Sequence, residues 1–464
     1  MYNAVTDEVK KRLQDIVGDK FVKFDNDTLE RFQTDEETDL TKFRMPEVVV
    51  IPANTAEIAA IVKLANVYTV PITVRSAGTS LSDGAIAVAG GIILLMERLN
   101  RILEVNGKGM YLVAETGVRT VDIQQQAYDA GFLYAGDPCS SDSCLIGGNL
   151  ATNAGGNKAV RYGTTRHQVY EMEIVTPTGE IVEVGARLNK SSTGYCLEQL
   201  IMGSEGTLGI ITKVTLKLQP LPPYRFDVLA VFTDPFQALD LVPQVMKAGI
   251  NPTSVEYMDH SYVQGTADFC QLSGMPHYDD GVYIIITVES FSESDLDDKM
   301  EKLDNLCNKA GAVDVLEADD RIWEMRRNCQ ESVRLISLVS LTDDVVVPTD
   351  KIGDMITFIM RVSEKYPFQA KINAHVGDGN LHIVLCKCDL DDQTWQDQVE
   401  AFHEEVYTHA YSLGGRLSGE HGIGAKKLHE MERYTPAGQL SIMRTIKRAM
   451  DPKSILNPGK VFNV

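Results

Sequence analysis

The sequence predicts an α+β protein with a domain boundary near residue 220, and three observations carry that expectation. Strand-like and helix-like runs are mixed along 464 residues, a length beyond one ordinary core. The segment Pro220, Leu221, Pro222, Pro223 interrupts both periodicities. Beyond it a second series of alternating strands and helices begins afresh.

Taken in order, Thr6 precedes an acidic turn and apolar residues at Val9, Leu13, Ile16 and Val17, with Gly18 beyond, which predicts an amphipathic helix. The run Val48 to Ile51, a helix opening near Asn54 with Glu57 three residues on, and Pro71 to Val74 predict a strand–helix–strand unit. Further strands are expected at Ile92 to Met96, Tyr111 to Ala114, Val169 to Val175 and Ile210 to Leu218, the last two separated by a Pro-Thr-Gly turn at Pro177 to Gly179. In the second half, a strand at Val228 to Phe232, a helix from Pro235 to Gly249, a strand at Val282 to Val288 and a helix from Glu293 to Gly311 suggest helices on one antiparallel sheet, the ferredoxin-like arrangement.

Composition narrows the partners. A net charge of -21 repels phosphate backbones and anionic lipid, so nucleic acid and membrane surfaces are poor candidates. The longest apolar run, Ala85 to Met96, is 12 residues, short of the ~20 that cross a bilayer. No apolar stretch follows the charged first residues, and a cytoplasmic location is expected. The eight cysteines are scattered without a C-x2-C run, so no ferredoxin-type iron–sulfur ligand set is expected.

Three small-residue blocks stand out. Arg75-Ser76-Ala77-Gly78-Thr79-Ser80-Leu81 follows an apolar strand and can aim successive backbone N–H groups at an anion. The second comprises Asp137-Pro138-Cys139-Ser140 and Ile146-Gly147-Gly148-Asn149-Leu150-Ala151-Thr152-Asn153-Ala154-Gly155-Gly156, whose glycines let backbone approach a large flat ligand. Gly203-Ser204-Glu205-Gly206-Thr207-Leu208-Gly209-Ile210-Ile211-Thr212 is the third.

In this order and spacing the blocks resemble the FAD-binding domain of the vanillyl-alcohol oxidase/p-cresol methylhydroxylase superfamily. The branch is that of the D-type subunit of glycolate oxidase, D-lactate dehydrogenases and D-2-hydroxyglutarate dehydrogenase. The resemblance runs from about Pro46 to Phe462 and closes on Asp451-Pro452 and Leu456-Asn457-Pro458-Gly459-Lys460. It implies a two-part FAD-binding domain of p-cresol methylhydroxylase type over 1–220, a ferredoxin-like α+β substrate (cap) domain over 221–414, and a segment 415–464 returning to the FAD site. It also implies that Arg75, Ser76, Ala77, Gly78, Thr79, Ser80 and Leu81 cradle the pyrophosphate. Pro138, Cys139, Ser140, Gly147, Gly148, Asn149, Thr152, Ala154 and Gly155 would run along the isoalloxazine and ribityl. Glu205, Gly206, Gly209 and Ile211 would border the adenine side, with Asn457 on the terminal flavin segment. No histidine or cysteine matches a covalent flavin link, so FAD is expected to be non-covalent. The chain departs from its relatives at Thr116-Gly117-Val118, where Pro-Gly-Val is frequent, at Asp83, where Gly is common, and at Leu145, where a Thr often precedes Ile-Gly-Gly.

A second chemistry lies further on. His375-Val376-Gly377-Asp378-Gly379-Asn380-Leu381-His382 sets two imidazoles seven apart across a Gly-Asp-Gly turn, and Ser418-Gly419-Glu420-His421-Gly422-Ile423-Gly424 adds a carboxylate and a third imidazole. Two histidines and a carboxylate with an open position suit zinc, iron(II) or manganese. By resemblance His375, His382 and Glu420 are the ligands of one divalent metal ion and His421 is the catalytic base. A guanidinium can clamp a substrate carboxylate bidentately, which makes Arg326 or Arg327 a candidate, Arg326 by resemblance.

The resemblance therefore implies an FAD-dependent dehydrogenase of small D-2-hydroxy acids. In the 2-hydroxyglutarate branch a lysine and a polar residue are expected to hold the distal carboxylate. The positions that align here are Thr342 and Val384, which favours D-lactate or glycolate. A non-redox transferase like alkylglycerone-phosphate synthase has little use for a two-histidine, one-carboxylate metal site, and an electron-transfer or assembly subunit without its own substrate has no use for Glu420 and His421. The chain looks most like the lactate dehydrogenase subunits of anaerobes that work with an electron-transfer flavoprotein, the expected partner; iron–sulfur subunits and quinones are the alternatives.

Overall fold

The computed structural model describes residues 2–36 and 45–464. It divides into two compact units, one made of Met1–Gly155, Thr164–Leu221 and Glu420–Val464, the other of Gly156–Gly163 and Pro222–Gly419.

The first unit opens on the helix Asp7–Val17, where Thr6 Oγ1 accepts the Val9 N–H at the N-cap and Gly18 ends the last turn at φ +88°. Its first sheet contains β1 (Val22–Lys23), β2 (Val48–Val50), β3 (Ile72–Arg75) and β4 (Ile92–Leu95) in the order β1-β2-β4-β3. The helix Thr55–Tyr68 makes the crossover from β2 to β3, capped by Asn54 Oδ1 on the Glu57 N–H while Glu57 Oε2 accepts the Ala53 N–H. Both strands run parallel to β4, which inserts between them. Val9, Leu13, Ile58, Ile61, Ile72, Ile92 and Leu456 form one core around this layer.

The second sheet of this unit is antiparallel and has β5 (Ile102–Asn106), β6 (Tyr111–Glu115), β8 (Val169–Val175), β9 (Ile181–Gly185) and β10 (Ile210–Lys217) in the order β5-β6-β10-β8-β9. A small pair, β7 (Phe132–Leu133) and β11 (Gln219–Pro220), stands beside it. The Pro-Thr-Gly turn leads from β8 into β9, not into β10 as the sequence suggested. Edge strands β5 and β9 escaped the sequence reading because most of their residues are exposed or half-buried, so no apolar run announces them.

In the second unit one antiparallel sheet holds β12 (Tyr224–Phe232), β13 (Ser254–Met258), β14 (Val282–Ser290), β15 (Asp314–Glu317), β16 (Ser340–Val346), β17 (Gln369–His375) and β18 (Asn380–Cys386). Their order is β15-β12-β14-β13-β17-β18-β16. Helices Pro235–Lys247 and Glu293–Ala310 follow β12 and β14, and between them lie β13 and the helix His260–Phe269, which the sequence reading passed over. The α+β expectation, with helices on one antiparallel sheet in the second half, describes this architecture.

Candidate active site

In the second unit β17 and β18 form a hairpin with His375 opposite Asn380 and Asn373 opposite His382. Partners in a ladder project from the same face, so both imidazoles share one side of the sheet. Gly379 takes φ +91°, and a Cβ there would strike the Val347 carbonyl, so the turn needs glycine. The rings meet edge to face, centroids 5.3 Å apart.

Buried acceptors set both rings. His375 Nδ1 donates to Glu256 Oε1 at 2.9 Å, and Glu256 stands opposite His375 in the β13–β17 ladder. His382 Nδ1 donates to Asn373 Oδ1 at 3.3 Å. With a carboxylate and an amide oxygen taking the Nδ1 proton, Nε2 is the nitrogen of each ring that could ligate a metal ion. Such a donor pair fits a borderline divalent ion.

Glu256 also accepts Nε and Nη2 of Arg326 at 3.0 and 2.7 Å. Arg326 is buried on the helix Asp320–Arg327, whereas Arg327 beside it is exposed. Burial pushes the Glu256 carboxyl up, but the charges and hydrogen bonds of His375 and Arg326 outweigh it and hold it below the usual carboxylate range. On β16, three strands from Glu256, Asp344, the ladder partner of His382, accepts Asn380 Nδ2 at 2.5 Å, Ser418 Oγ at 2.5 Å and the Gly419 N–H at 3.0 Å. Asp344 thereby holds the chain at the residue just before Glu420. Along the same face Thr342, Val384 and Lys371 form one cross-strand row. Thr342 Oγ1 accepts from Gln330 Nε2 at 2.8 Å; Lys371 donates to the Ser261 carbonyl at 2.7 Å and sits over the Tyr262 ring.

In the first unit the three small-residue blocks converge. Arg75 lies buried under Gly78 and donates Nη1 to the Thr34 carbonyl at 2.8 Å, so this guanidinium braces the turn from below. Burial lowers its pKa from the ordinary arginine value. A Cβ on Gly147 would come within 2.9 Å of Thr116 and 3.3 Å of Ser76 Oγ, and one on Gly148 would touch Ser76, which sets the second block against the first. Thr152 donates back to the Gly148 carbonyl, and Ala154 takes the Thr165 hydroxyl at 2.8 Å. Ser204 Oγ, Arg166 Nε and Asn457 Oδ1 are buried without a hydrogen-bond partner. Orphaned polar atoms beside segments stripped of side chains are what an FAD-sized ligand with many acceptors and donors requires.

The departures have local causes. Thr116 donates its N–H to Thr212 and its hydroxyl to Ile211, of which proline could make neither bond. Asp83 sits at φ +57°, a left-handed conformation that glycine adopts freely and Asp tolerates. Leu145 stands at the N-cap of the helix Ile146–Thr152 without a side-chain cap, and the Ile146 and Gly147 N–H groups go to the Val118 and Thr116 carbonyls instead.

The loop bearing Glu420 and His421 leans on all three blocks. A Cβ on Gly155 would lie 2.6 Å from Glu420 Oε2. Ser82, just past the first block, donates Oγ to the His421 carbonyl at 3.0 Å, and its own carbonyl accepts the Ala425 N–H at 3.1 Å. Glu205 of the third block accepts the Ile423 and Gly424 N–H groups, each at 2.8 Å. Asn457 Nδ2 donates to the Glu205 carbonyl at 2.6 Å. Sequence reasoning missed Glu256, Asn373, Asp344 and Arg166. For Glu256 the signal was one carboxylate within an otherwise apolar or small strand, Ser-Val-Glu-Tyr-Met, buried throughout.

Residues 46–185 match the FAD binding domain model, and 221–461 match that of the FAD linked oxidases, C-terminal domain. A D-lactate dehydrogenase of Anaerostipes hadrus is 37% identical over 99% of this chain and 98% of its own. Glycolate oxidase subunit GlcD of Bacillus subtilis is 32% identical over 99% and 97%. Among solved structures, p-cresol methylhydroxylase with substrate bound superposes with a TM-score of 0.81 at 18% identity, over 98% of this chain and 97% of that one, a likeness of fold.

Proposed function

Because the chain belongs to the family of FAD-linked oxidases, in the group of D-lactate, glycolate and D-2-hydroxyglutarate dehydrogenases, we propose that it oxidises a small D-2-hydroxy acid, D-lactate foremost, to the 2-oxo acid in the cytoplasm. FAD, held without a covalent link along the three blocks, would supply the two-electron acceptor. A divalent ion on His375, His382 and Glu420, iron(II), zinc or manganese, would acidify the substrate hydroxyl and offset the substrate's negative charge.

The chain's own residues have the remaining tasks. Glu256 and Asn373 hold Nδ1 of the two ligand histidines, so that Nε2 is presented with no rotation to arrest on binding. Arg326 binds the substrate carboxylate, its guanidinium oriented by the bond to Glu256. His421 takes the hydroxyl proton as C2 gives up its electrons, a transfer that suits an imidazole near neutral pH. Electrons leave to a separate electron-transfer flavoprotein.

One observation carries this reading: Ser82, Gly155 and Glu205, one at each flavin block, all touch the loop of Glu420 and His421. A proton acceptor anchored to the cofactor's own segments is arranged for chemistry at that cofactor. His421→Ala is the test. It should retain FAD and metal and lose anaerobic flavin reduction by D-lactate by roughly 10²–10⁴-fold; reduction at the normal rate would overturn the assignment.

A further inference from the structure

Glu205 was expected on the adenine side of the cofactor, yet its side chain is spent on the protein. It is 8% exposed and stands at φ +51° in the turn before β10. Oε1 accepts the Ile423 N–H and Oε2 the Gly424 N–H. Those amides belong to the turn that directly follows His421, where Gly422 and Gly424 take φ of +84° and +54°. A Cβ on Gly422 would stand 2.9 Å from Oε1, and one on Gly424 would collide with the Ser82 carbonyl. The turn therefore lies flat between the carboxylate and Ser82. An apolar side chain of similar size would leave both N–H groups without acceptors.

We propose that Glu205 is a positioning residue for the proton acceptor: its carboxylate fixes the Gly422–Gly424 turn, so that the flavin segment carrying Glu205 and the backbone carrying His421 are set as one piece. The proposal rests on the reading of His421 as the base. It gives Glu205 a role in the chemical step and none in substrate affinity, since the residue holds backbone beyond His421. Misplacing a reacting group by about 1 Å can cost on the order of 10²-fold in rate.

Two measurements on the full FAD-loaded chain decide it. In the unaltered protein the Ile423 and Gly424 amides should exchange with deuterium far more slowly than exposed loop amides; exchange at loop rates would overturn the proposal whatever the variants do. Glu205→Gln replaces one acceptor oxygen with an NH2 that repels a backbone N–H. It should keep one FAD per chain and its metal while the limiting rate of flavin reduction by D-lactate falls roughly 10–100-fold, with KM within about twofold and partial recovery in Glu205→Asp. An unchanged limiting rate, or weaker FAD binding with a normal rate once FAD is saturating, would make Glu205 a cofactor contact and nothing more. His421→Ala run alongside separates the failures. If it reduces flavin normally, the reading of the base has failed; if it is inactive while Glu205→Gln is normal, only the present inference has.

Discussion

His375 donates Nδ1 to Glu256 at 2.9 Å, and that same carboxylate accepts two bonds from Arg326, so one buried group orients a proposed metal ligand and a proposed substrate clamp. Glu256→Gln keeps the shape and removes the charge. Removing a carboxylate behind a ligand histidine typically costs 10–100-fold in metal affinity, and that loss is expected here, read as metal content after dialysis against graded chelator. FAD content should not change. Wild-type metal retention would separate Glu256 from any role at the metal.

Much of this arrangement was legible in the sequence, and its gaps have physical reasons. The helix at Asp7–Val17 and the crossover helix after Asn54 carried caps and periodicity that local chemistry fixes. The blocks at Arg75, Gly147 and Glu205 stood out in the sequence as runs of small residues. The partners that set the site did not. Glu256 meets His375 across 119 residues and Asp344 meets Gly419 across 75, and spacing along a chain says nothing of register between distant strands. The two bonds by which the Glu205 carboxylate holds Ile423 and Gly424 were not legible either, since a side chain that holds backbone has no sequence mark of its own.

Thr342 lies opposite Val384, which lies opposite Lys371, on the face that carries His382. The Lys371 amine is occupied by the Ser261 carbonyl and the Tyr262 ring. Thr342→Lys would add an ammonium to this row from the other edge. Hydrogen bonds to a charged group contribute about 1.5–3 kcal/mol, so the ratio of kcat/KM for D-2-hydroxyglutarate over D-lactate should rise roughly tenfold or more. An unchanged ratio in a substrate panel would remove Thr342 as the determinant of a small substrate.

Lys460 is buried, donating to the Asp83 and Ile86 carbonyls, and burial pulls its pKa down from 10.5 to about 8, against the pull of Asp35, Asp83 and Glu205. A lysine whose folded pKa lies below its unfolded one binds fewer protons folded than unfolded between those values. Stability from this group therefore rises with pH from about 8 towards 10.5 and is lowest below 8. Lys460→Met should flatten that rise in urea midpoints taken at pH 8, 9 and 10. An identical slope in both proteins would place the pH dependence elsewhere.

Each turnover leaves two electrons that must depart before the next substrate is oxidised. The eight cysteines are free thiols scattered over both units with no close ligand run, and no G-x-G-x-x-G fingerprint for a second dinucleotide is present. Among the described residues no helix is long and apolar enough to cross a membrane. The proposed acceptor is a separate electron-transfer flavoprotein, which would bring its own flavin to the contact. With D-lactate and NAD, the purified chain should be inactive, and adding the flavoprotein should start NADH formation. A dye that accepts electrons directly should give turnover without it, which shows the chain itself competent. Direct reduction of NAD by the chain alone, or fast turnover with oxygen as the only acceptor, would rule the partner out; His421→Ala should abolish the dye reaction and the coupled reaction to the same extent, because both draw on one proton transfer.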